Sequence, residues 1–365
     1  MSYADVGSGI RRFRDPPRFL LGGSDPVCDP SAAIDLAIVI PAFKPDFLGE
    51  ALESVAAQTD RRFRLYVGDD AGPGDVRRIC DARRVAFGAL IYHRFGDNLG
   101  RSSLPAQWNR CVALTAEPWV WLFSDDDVMT PDAVAAFHSA AVGAEDVDVV
   151  RFNSEVIDAR GRRIAINPRH PGHESGAEFI FDRLRGRRTG YVVDYVFRRS
   201  AFDAAGGFPD YPLAWGADYA AWFLFSRRGG IRTLPGGGVQ YRESDRSISG
   251  TLRGYRREKF DATLRFLRFV EQEVAPADPR GWGRDEWRRV TENWFLGQVH
   301  SLLPVGPSLS GWMFRASRHW WRAGAFVRLA QLSLWNIRAW IRQALTRYTP
   351  FARIPERGNR RGDRE

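Results

Sequence analysis

The sequence predicts an α/β fold, a sheet flanked by helices, with an α-helical extension after it. Three observations carry this reading. Four short apolar runs alternate with helix-period segments between residues 36 and 123, the order of an α/β sheet with right-handed crossovers. The runs are continuous rather than alternating, as in strands buried on both faces. From about Tyr255 onward the apolar spacing is helical throughout.

The elements follow in order. Residues 1–35 are polar, with Gly, Pro and Arg scattered and no period, and read as an N-terminal arm. Leu36 to Pro41 is the first strand, and Ala42-Phe43-Lys44-Pro45 a turn. Asp46 is placed to cap a helix whose apolar face is Phe47, Leu48, Ala51, Leu52, Val55 and Ala56. Phe63 to Gly68 is a second strand, ending in Asp69-Asp70-Ala71-Gly72. Asp75 starts a second helix, Ala89 to His93 is a third strand, and Ser103-Leu104-Pro105 opens a third helix. The fourth strand, from Trp119, runs into Asp125, Asp126 and Asp127, and Thr130-Pro131 has the form of a helix start.

That acidic triplet is the most informative stretch. Three carboxylates at a strand end repel one another unless something positive lies among them. A hard divalent cation, Mn2+ or Mg2+, takes oxygen ligands and shares them with substrate phosphates; the alternative is an exposed acidic turn. Ligands of such sheets bind outside the carboxyl ends of the strands. Two other strand ends also carry polar groups, Lys44 after the first and Asp69 with Asp70 after the second. The convergence favours a metal–phosphate site.

Composition narrows the class. Hydrophobic content of 44% and charged content of 27% suit a soluble globular chain. Residues 301–365 hold twelve Arg against three acids, a surplus equal to the whole net charge of +9. The basic character therefore belongs to the tail. Cys28, Cys80 and Cys111 lack metal spacing and point to a reducing compartment. Residues 1–35 lack an apolar leader core, and no uncharged apolar run reaches 18 residues, so neither a leader nor a membrane span is expected.

I-V-I-P-A-F at 38–43, G-D-D-A-G at 68–72, N-L-G at 98–100 and F-S-D-D-D-V at 123–128, in this order, resemble the family-2 glycosyltransferases, nucleotide-sugar-dependent enzymes of the GT-A fold. Phe197 to Phe202, Gly206-Gly207-Phe208 and Trp215 to Trp222 resemble that family's acceptor half. The resemblance implies roles. Asp125 and Asp127 would hold the metal on the donor diphosphate. Pro41, Phe43, Lys44, Asp69, Asp70, Asn98, Asp126 and Arg242 would contact the donor nucleotide, with Arg242 neutralising phosphate. Asp218 would be the general base, and Trp215 and Tyr219 would meet the acceptor. The family commonly has Glu before that Asp; here Ala217 stands there. Ser247-Ile248-Ser249 resembles a segment that closes over the diphosphate. The implied reaction is a single displacement with inversion, in bacterial cell-surface polysaccharide or glycolipid synthesis.

Each residue also has a plainer reading. Asp218 could cap a helix at 219–228, Asp69 and Asp70 could be turn residues, and Lys44 a solvated side chain. Trp108, Trp119 and Trp121 read as core. In the tail, Phe326, Leu329, Leu334, Ile337, Trp340 and Leu345 share an apolar face bordered by Arg, and eight of the 13 Trp follow residue 280. A basic amphipathic helix with aromatics suits a membrane surface, and a lipid-linked acceptor would suit such docking. A helical cap or dimer interface is the alternative, and no nucleic-acid motif accompanies the basic residues. The expected organisation is an arm at 1–35, a donor half at 36–135, an acceptor half at 136–254 and a helical extension at 255–365, in a cytoplasmic protein peripheral on the inner membrane face. Competing readings are a nucleotidyltransferase-like enzyme and an inactive membrane-associated scaffold.

Overall fold

The computed structural model describes residues 35–141, 146–244 and 255–302. The arm 1–34 with Cys28, the Ser247–Ser249 segment and the 311–347 helix lie outside the described residues. The chain divides into two compact units, Met1–Trp294 and Phe295–Glu365. Every site residue below belongs to the first unit.

The elements are β1 (Leu36–Ala42), α1 (Leu48–Ala56), β2 (Phe63–Asp69), α2 (Val76–Arg83), β3 (Leu90–Arg94), α3 (Leu104–Val112), β4 (Trp119–Leu122), β5 (Val128–Met129), α4 (Ala133–Ala141), β6 (Val149–Arg151), β7 (Ser154–Ile157), β8 (Arg163–Ile166), β9 (His173–Glu174), α5 (Gly176–Leu184), β10 (Tyr195–Arg198), α6 (Arg199–Ala205), α7 (Ala217–Phe225), β11 (Ile231–Thr233), β12 (Val239–Arg242), α8 (Arg256–Phe269) and α9 (Arg284–Leu302). Among the described residues they build an eight-stranded sheet, β3-β2-β1-β4-β10-β6-β11-β9, and a four-stranded sheet, β5-β12-β7-β8. β1 pairs parallel with β2 and β4, and β2 with β3. β10 runs antiparallel to β4 and β6, so the sheet is the Rossmann-like mixed sheet flanked by helices that the resemblance to the GT-A fold implies.

β1, β2 and β4 are buried almost throughout, for the reason their composition gave, whereas β3 buries only Leu90. Leu36 to Ile40 are fully inaccessible, and each buried Leu, Ile or Val among them contributes about 1.5–3 kcal/mol over an exposed one. Trp119 and Trp121 are core: Trp121 stacks on Phe152 with centroids 4.7 Å apart and donates its indole N–H to the Val193 carbonyl at 2.7 Å. Asp75 and Ser103 cap α2 and α3 through their side chains.

Three local expectations shift. α1 has Phe47 at its N-cap with no side-chain cap bond, so Asp46 does not start it. Thr130-Pro131 does not open a helix at once. Val128 and Met129 form β5, which pairs with β12, and α4 starts at Ala133. α7 begins at Ala217 with Gly216 as N-cap, which places Asp218 in the first turn rather than at the cap.

Candidate active site

The acidic triplet follows β4, where the backbone leaves the sheet after Phe123 has donated to the Val39 carbonyl at 2.8 Å. Its three carboxylates are used in three ways. Asp125 Oδ2 accepts the amides of Phe43 and Lys44 at 3.0 and 3.2 Å, tying the triplet to the turn after β1. Asp126 accepts the Ser124 hydroxyl. Asp127, only 1% exposed, accepts the Arg242 backbone amide at 2.6 Å, tying the triplet to β12. Asp125 and Asp126 line a small pocket with Lys44, Asp46, Phe47 and Ser244. Burial, then repulsion from Asp126, pushes the Asp125 carboxyl up to about 7, against the pull of the Phe43 and Lys44 amides. The same two causes push Asp127 well above the usual carboxylate range.

Arg242 differs from its expected role. It is 1% exposed and its donors go to protein. Nε donates to the Asp126 carbonyl at 2.7 Å, and the two terminal nitrogens to the Asp158 carbonyl at 3.2 Å and to Glu50 at 2.6 Å. The guanidinium lies 4.4 Å from the Phe47 ring centre. It clamps the wall of the pocket and does not line it.

At the end of β2, Asp69 and Asp70 are both buried and both organise loops. Asp69 accepts the Tyr92 hydroxyl and an Arg94 N–H, each at 2.6 Å, and the Gly72 amide at 3.1 Å. Asp70 accepts the amides of Leu99 and Gly100 at 2.9 Å and an Arg110 N–H at 2.5 Å. It thereby fixes the N-L-G loop, in which Asn98 closes its own turn by accepting the Arg101 amide. Ala71 is held at φ 54°, a strained value for a residue with a Cβ. A Cβ on Gly72 would stand 2.4 Å from the Phe43 carbonyl oxygen, so only glycine lets the β1 and β2 loops approach this closely. Pro41 is half-buried within β1, paired with Gly68. An open groove beside these loops is lined by Gly72 to Arg77 with Tyr92 and Arg94, and Arg77 lies over the Tyr92 ring at 4.6 Å. Tyr92 and Arg94 are absent from the sequence-derived set. Arg94 closes β3, so the strand-end rule applied to the third strand would have found it.

The other half of the site is built before α7. Leu213, Ala214 and Gly216 all have positive φ, of 59°, 56° and 79°. Two of these are not glycine, and such strain persists only where the surroundings fix it. The turn presents Trp215, Asp218 and Tyr219. Trp215 is half-buried with the Lys259 ammonium 4.7 Å from its ring. Asp218 is half-buried. Burial pushes its carboxyl up to about 6, against the Tyr219 amide and the Arg183 charge. Tyr219 donates weakly to the Gly190 carbonyl at 3.4 Å, with Arg183 over its ring at 4.7 Å. Asp194, fully buried, accepts the Tyr191 amide and the Ser154 hydroxyl and is pushed to about 7 by burial. Its charge acts on Asp127, and that of Asp218 acts on it. A chain of carboxylates therefore links the two halves. His170 is buried and held near 3 by desolvation, unsuited to hold a proton at neutral pH.

Among the described residues no three His, Cys, Asp or Glu side chains group as a metal cage. The residues still fit a cation brought in on a diphosphate. Mg2+ is usually held by one or two carboxylates plus phosphate oxygens and water, and Asp125 and Asp126 share one pocket and repel each other.

Residues 37–203 match the family model described as Glycosyl transferase family 2. No curated protein matches the chain. Among solved structures, S. aureus TarS 1-349 in complex with UDP-GlcNAc aligns with TM-score 0.54 and 13% identity, over 76% of this chain and 83% of that one. At this identity the likeness is one of fold. A mannosyltransferase, PcManGT from Pyrobaculum calidifontis in complex with GDP-Man and Mn2+, aligns at 16% identity over 87% and 86%. Its TM-score is 0.44.

Proposed function

The chain belongs to glycosyl transferase family 2 through residues 37–203, and on that premise we propose that it moves a sugar from a nucleotide-diphosphate sugar to an acceptor hydroxyl, by single displacement with inversion. The observation that carries the reading is the division of labour among half-buried acids. Asp125 and Asp126 face a pocket shared with Lys44, where a diphosphate with its Mn2+ or Mg2+ fits. Asp218 stands apart, in the first turn of α7. The cation, when bound, would offset charge on the departing diphosphate. Asp125 and Asp126 would hold it, with Asp127 buried behind them as part of the wall.

Lys44 would meet phosphate. The groove beside Asp69, with Tyr92 and Arg94, would take the nucleoside end, and the UDP-GlcNAc of TarS supports a nucleotide-sugar as donor. Asp218, its carboxyl near 6, is ionised at neutral pH yet more basic than a solvated carboxylate, which suits accepting the hydroxyl proton as it attacks. Trp215 and Tyr219 flank it for the acceptor. A saccharide or lipid-linked acceptor of the bacterial cell surface is the expected class, with the 311–347 segment meeting the membrane.

Thermal-shift binding against UDP, GDP, dTDP and CMP, each with and without Mn2+, tests the donor site. One nucleotide should give a metal-dependent rise in Tm that Asp126→Asn abolishes. A folded protein that responds to none of them overturns the reading and favours the scaffold. Nucleoside triphosphate turnover that survives Asp218→Asn would favour the nucleotidyltransferase.

A further inference from the structure

We propose that the hairpin of β7 and β8 is a docking surface for an anionic lipid bilayer, with Ile164 and Ile166 entering the headgroup layer among the arginines that surround them. β8 is the outer strand of the four-stranded sheet and pairs with β7 alone. Every residue from Ala159 to Ile166 is exposed, and Ile164 and Ile166 are 54% and 65% accessible. Among the described residues only Val85 and Tyr255 are large apolar side chains as open to water. Those two stand singly, as surface apolar residues ordinarily do. The isoleucines stand two apart on one strand.

Charge selects the partner. Residues 155–169 hold four Arg against Glu155 and Asp158, a net charge of +2. Arg162 pairs with Asp158 at 2.7 Å and Arg163 with Glu155 at 3.0 Å. Arg160 and Arg169 are exposed and have no ion pair among the described residues. Ile166 lies opposite Glu155 in the ladder, and Glu155 reaches Arg163, so apolar and basic side chains border one face. Charge alone would guard an edge strand against pairing. Aliphatic side chains within a basic rim fit acyl chains beneath anionic headgroups. A nucleic acid would answer the arginines and leave the isoleucines in water, and a second copy would set two hairpins of like charge together. Seated on a bilayer, β8 would lie two inter-strand spacings, about 10 Å, from β12, whose Arg242 amide holds Asp127. The site would then stay close to the surface where a lipid-linked acceptor lies.

The test uses the full chain and vesicles of phosphatidylcholine with or without phosphatidylglycerol. In a Cys28→Ser background, Ala165→Cys carries an environment-sensitive fluorophore on β8; Cys80 and Cys111 are buried. Its emission should shift to the blue with phosphatidylglycerol vesicles and stay put with phosphatidylcholine alone. The lipid concentration giving half that shift should rise about tenfold when Ile164→Ser and Ile166→Ser are combined. It should rise roughly fivefold for each of Arg160→Gln and Arg169→Gln. All four positions are exposed, so Tm should not move. A label that stays in water while the protein sediments with the vesicles places the contact elsewhere in the chain and overturns the proposal. A blue shift that grows with protein concentration in the absence of lipid, alongside a dimer in sedimentation equilibrium, gives the face to a second copy and overturns it too. So does a shift raised by RNA and not by vesicles.

Discussion

Replacing Arg242 by methionine tests the clamp at the centre of the site. The Arg242 amide that holds Asp127 belongs to the backbone and stays. What goes is the guanidinium, with its bonds to the Asp126 and Asp158 carbonyls and to Glu50. A hydrogen bond from a charged donor to a buried acceptor is worth about 1.5–3 kcal/mol. The two carbonyl bonds together give roughly 4 kcal/mol. The Glu50 side chain is 55% exposed, so that ion pair is screened and adds under about 1 kcal/mol. For a domain of this size each kcal/mol moves Tm by about 2–4 °C, so the variant should melt roughly 10–15 °C lower. Scanning fluorimetry or urea unfolding measures this. Nucleotide affinity should fall with it, because the Asp126 peptide loses its anchor. An Arg242→Met protein that melts with the parent but no longer binds nucleotide would refute the clamp and place the guanidinium on the ligand.

Two further outcomes follow from the same contacts. Asp194 is pushed to about 7, whereas in the unfolded chain it releases its proton near 4. The folded state thus binds the extra proton between about pH 4 and 7, and the stability tied to this group is lost as pH rises through that window. Asp194→Asn should therefore raise Tm at pH 8, by an energy on the order of 4 kcal/mol, and leave it unchanged at pH 4. His138 and His170, both held low by burial, act in the opposite sense at acid pH, so the readout is variant against parent at each pH. A Tm difference independent of pH would refute the assignment. Gly72→Ala drives a Cβ into the Phe43 carbonyl and should cost about 1–3 kcal/mol, the usual range for overpacking. Because the Phe43 amide also holds Asp125, nucleotide binding should weaken too; unchanged Tm and affinity would show that the two loops can separate freely.

The first part of the fold, β1 to β4, was legible because its signals are local. Leu36 to Ile40 is a continuous apolar run in sequence and fully buried in the sheet, and the acids at 69–70 and 125–127 fall where β2 and β4 end. The two-sheet arrangement was not legible. β12 pairs with β5 and β7 across more than 80 residues of chain, and the short runs Val149–Arg151 and Ser154–Ile157 carry no period that distinguishes them. Arg242 illustrates the consequence. Its burial is set by Glu50, Asp126 and Asp158, residues remote in sequence, so Tyr241-Arg242 reads the same whether the guanidinium faces solvent, phosphate or protein. Arg94 and Arg183 were hidden for another reason: in a chain with 51 Arg, one more carries little information. The place of Asp218 near the start of a helix was legible, but the rise of its carboxyl was not, since that depends on how the fold buries it.

The triplet shows most sharply what a fold adds to a motif. Three identical residues in succession look interchangeable, yet the first is fastened to β1's turn and the third to β12, one to each sheet. The loop is thus the joint between the sheets, and the Asp126 carboxylate, which among the described residues accepts only the hydroxyl of its neighbour Ser124, is the one least committed to the scaffold. The distinction is measurable. Burial and the neighbouring Asp126 raise the Asp127 carboxyl well above the usual range, and the Arg242 amide needs only an acceptor. Asp127→Asn keeps that acceptor and removes a buried charge, so it should leave Tm unchanged or higher and preserve the Mn2+-dependent response to nucleotide. Asp127→Ala leaves the Arg242 amide unmet and should cost about 1–3 kcal/mol. If Asp127→Asn keeps its Tm but loses the Mn2+ response, then the second oxygen of Asp127 reaches the cation, and the wall of the pocket is part of the metal site after all.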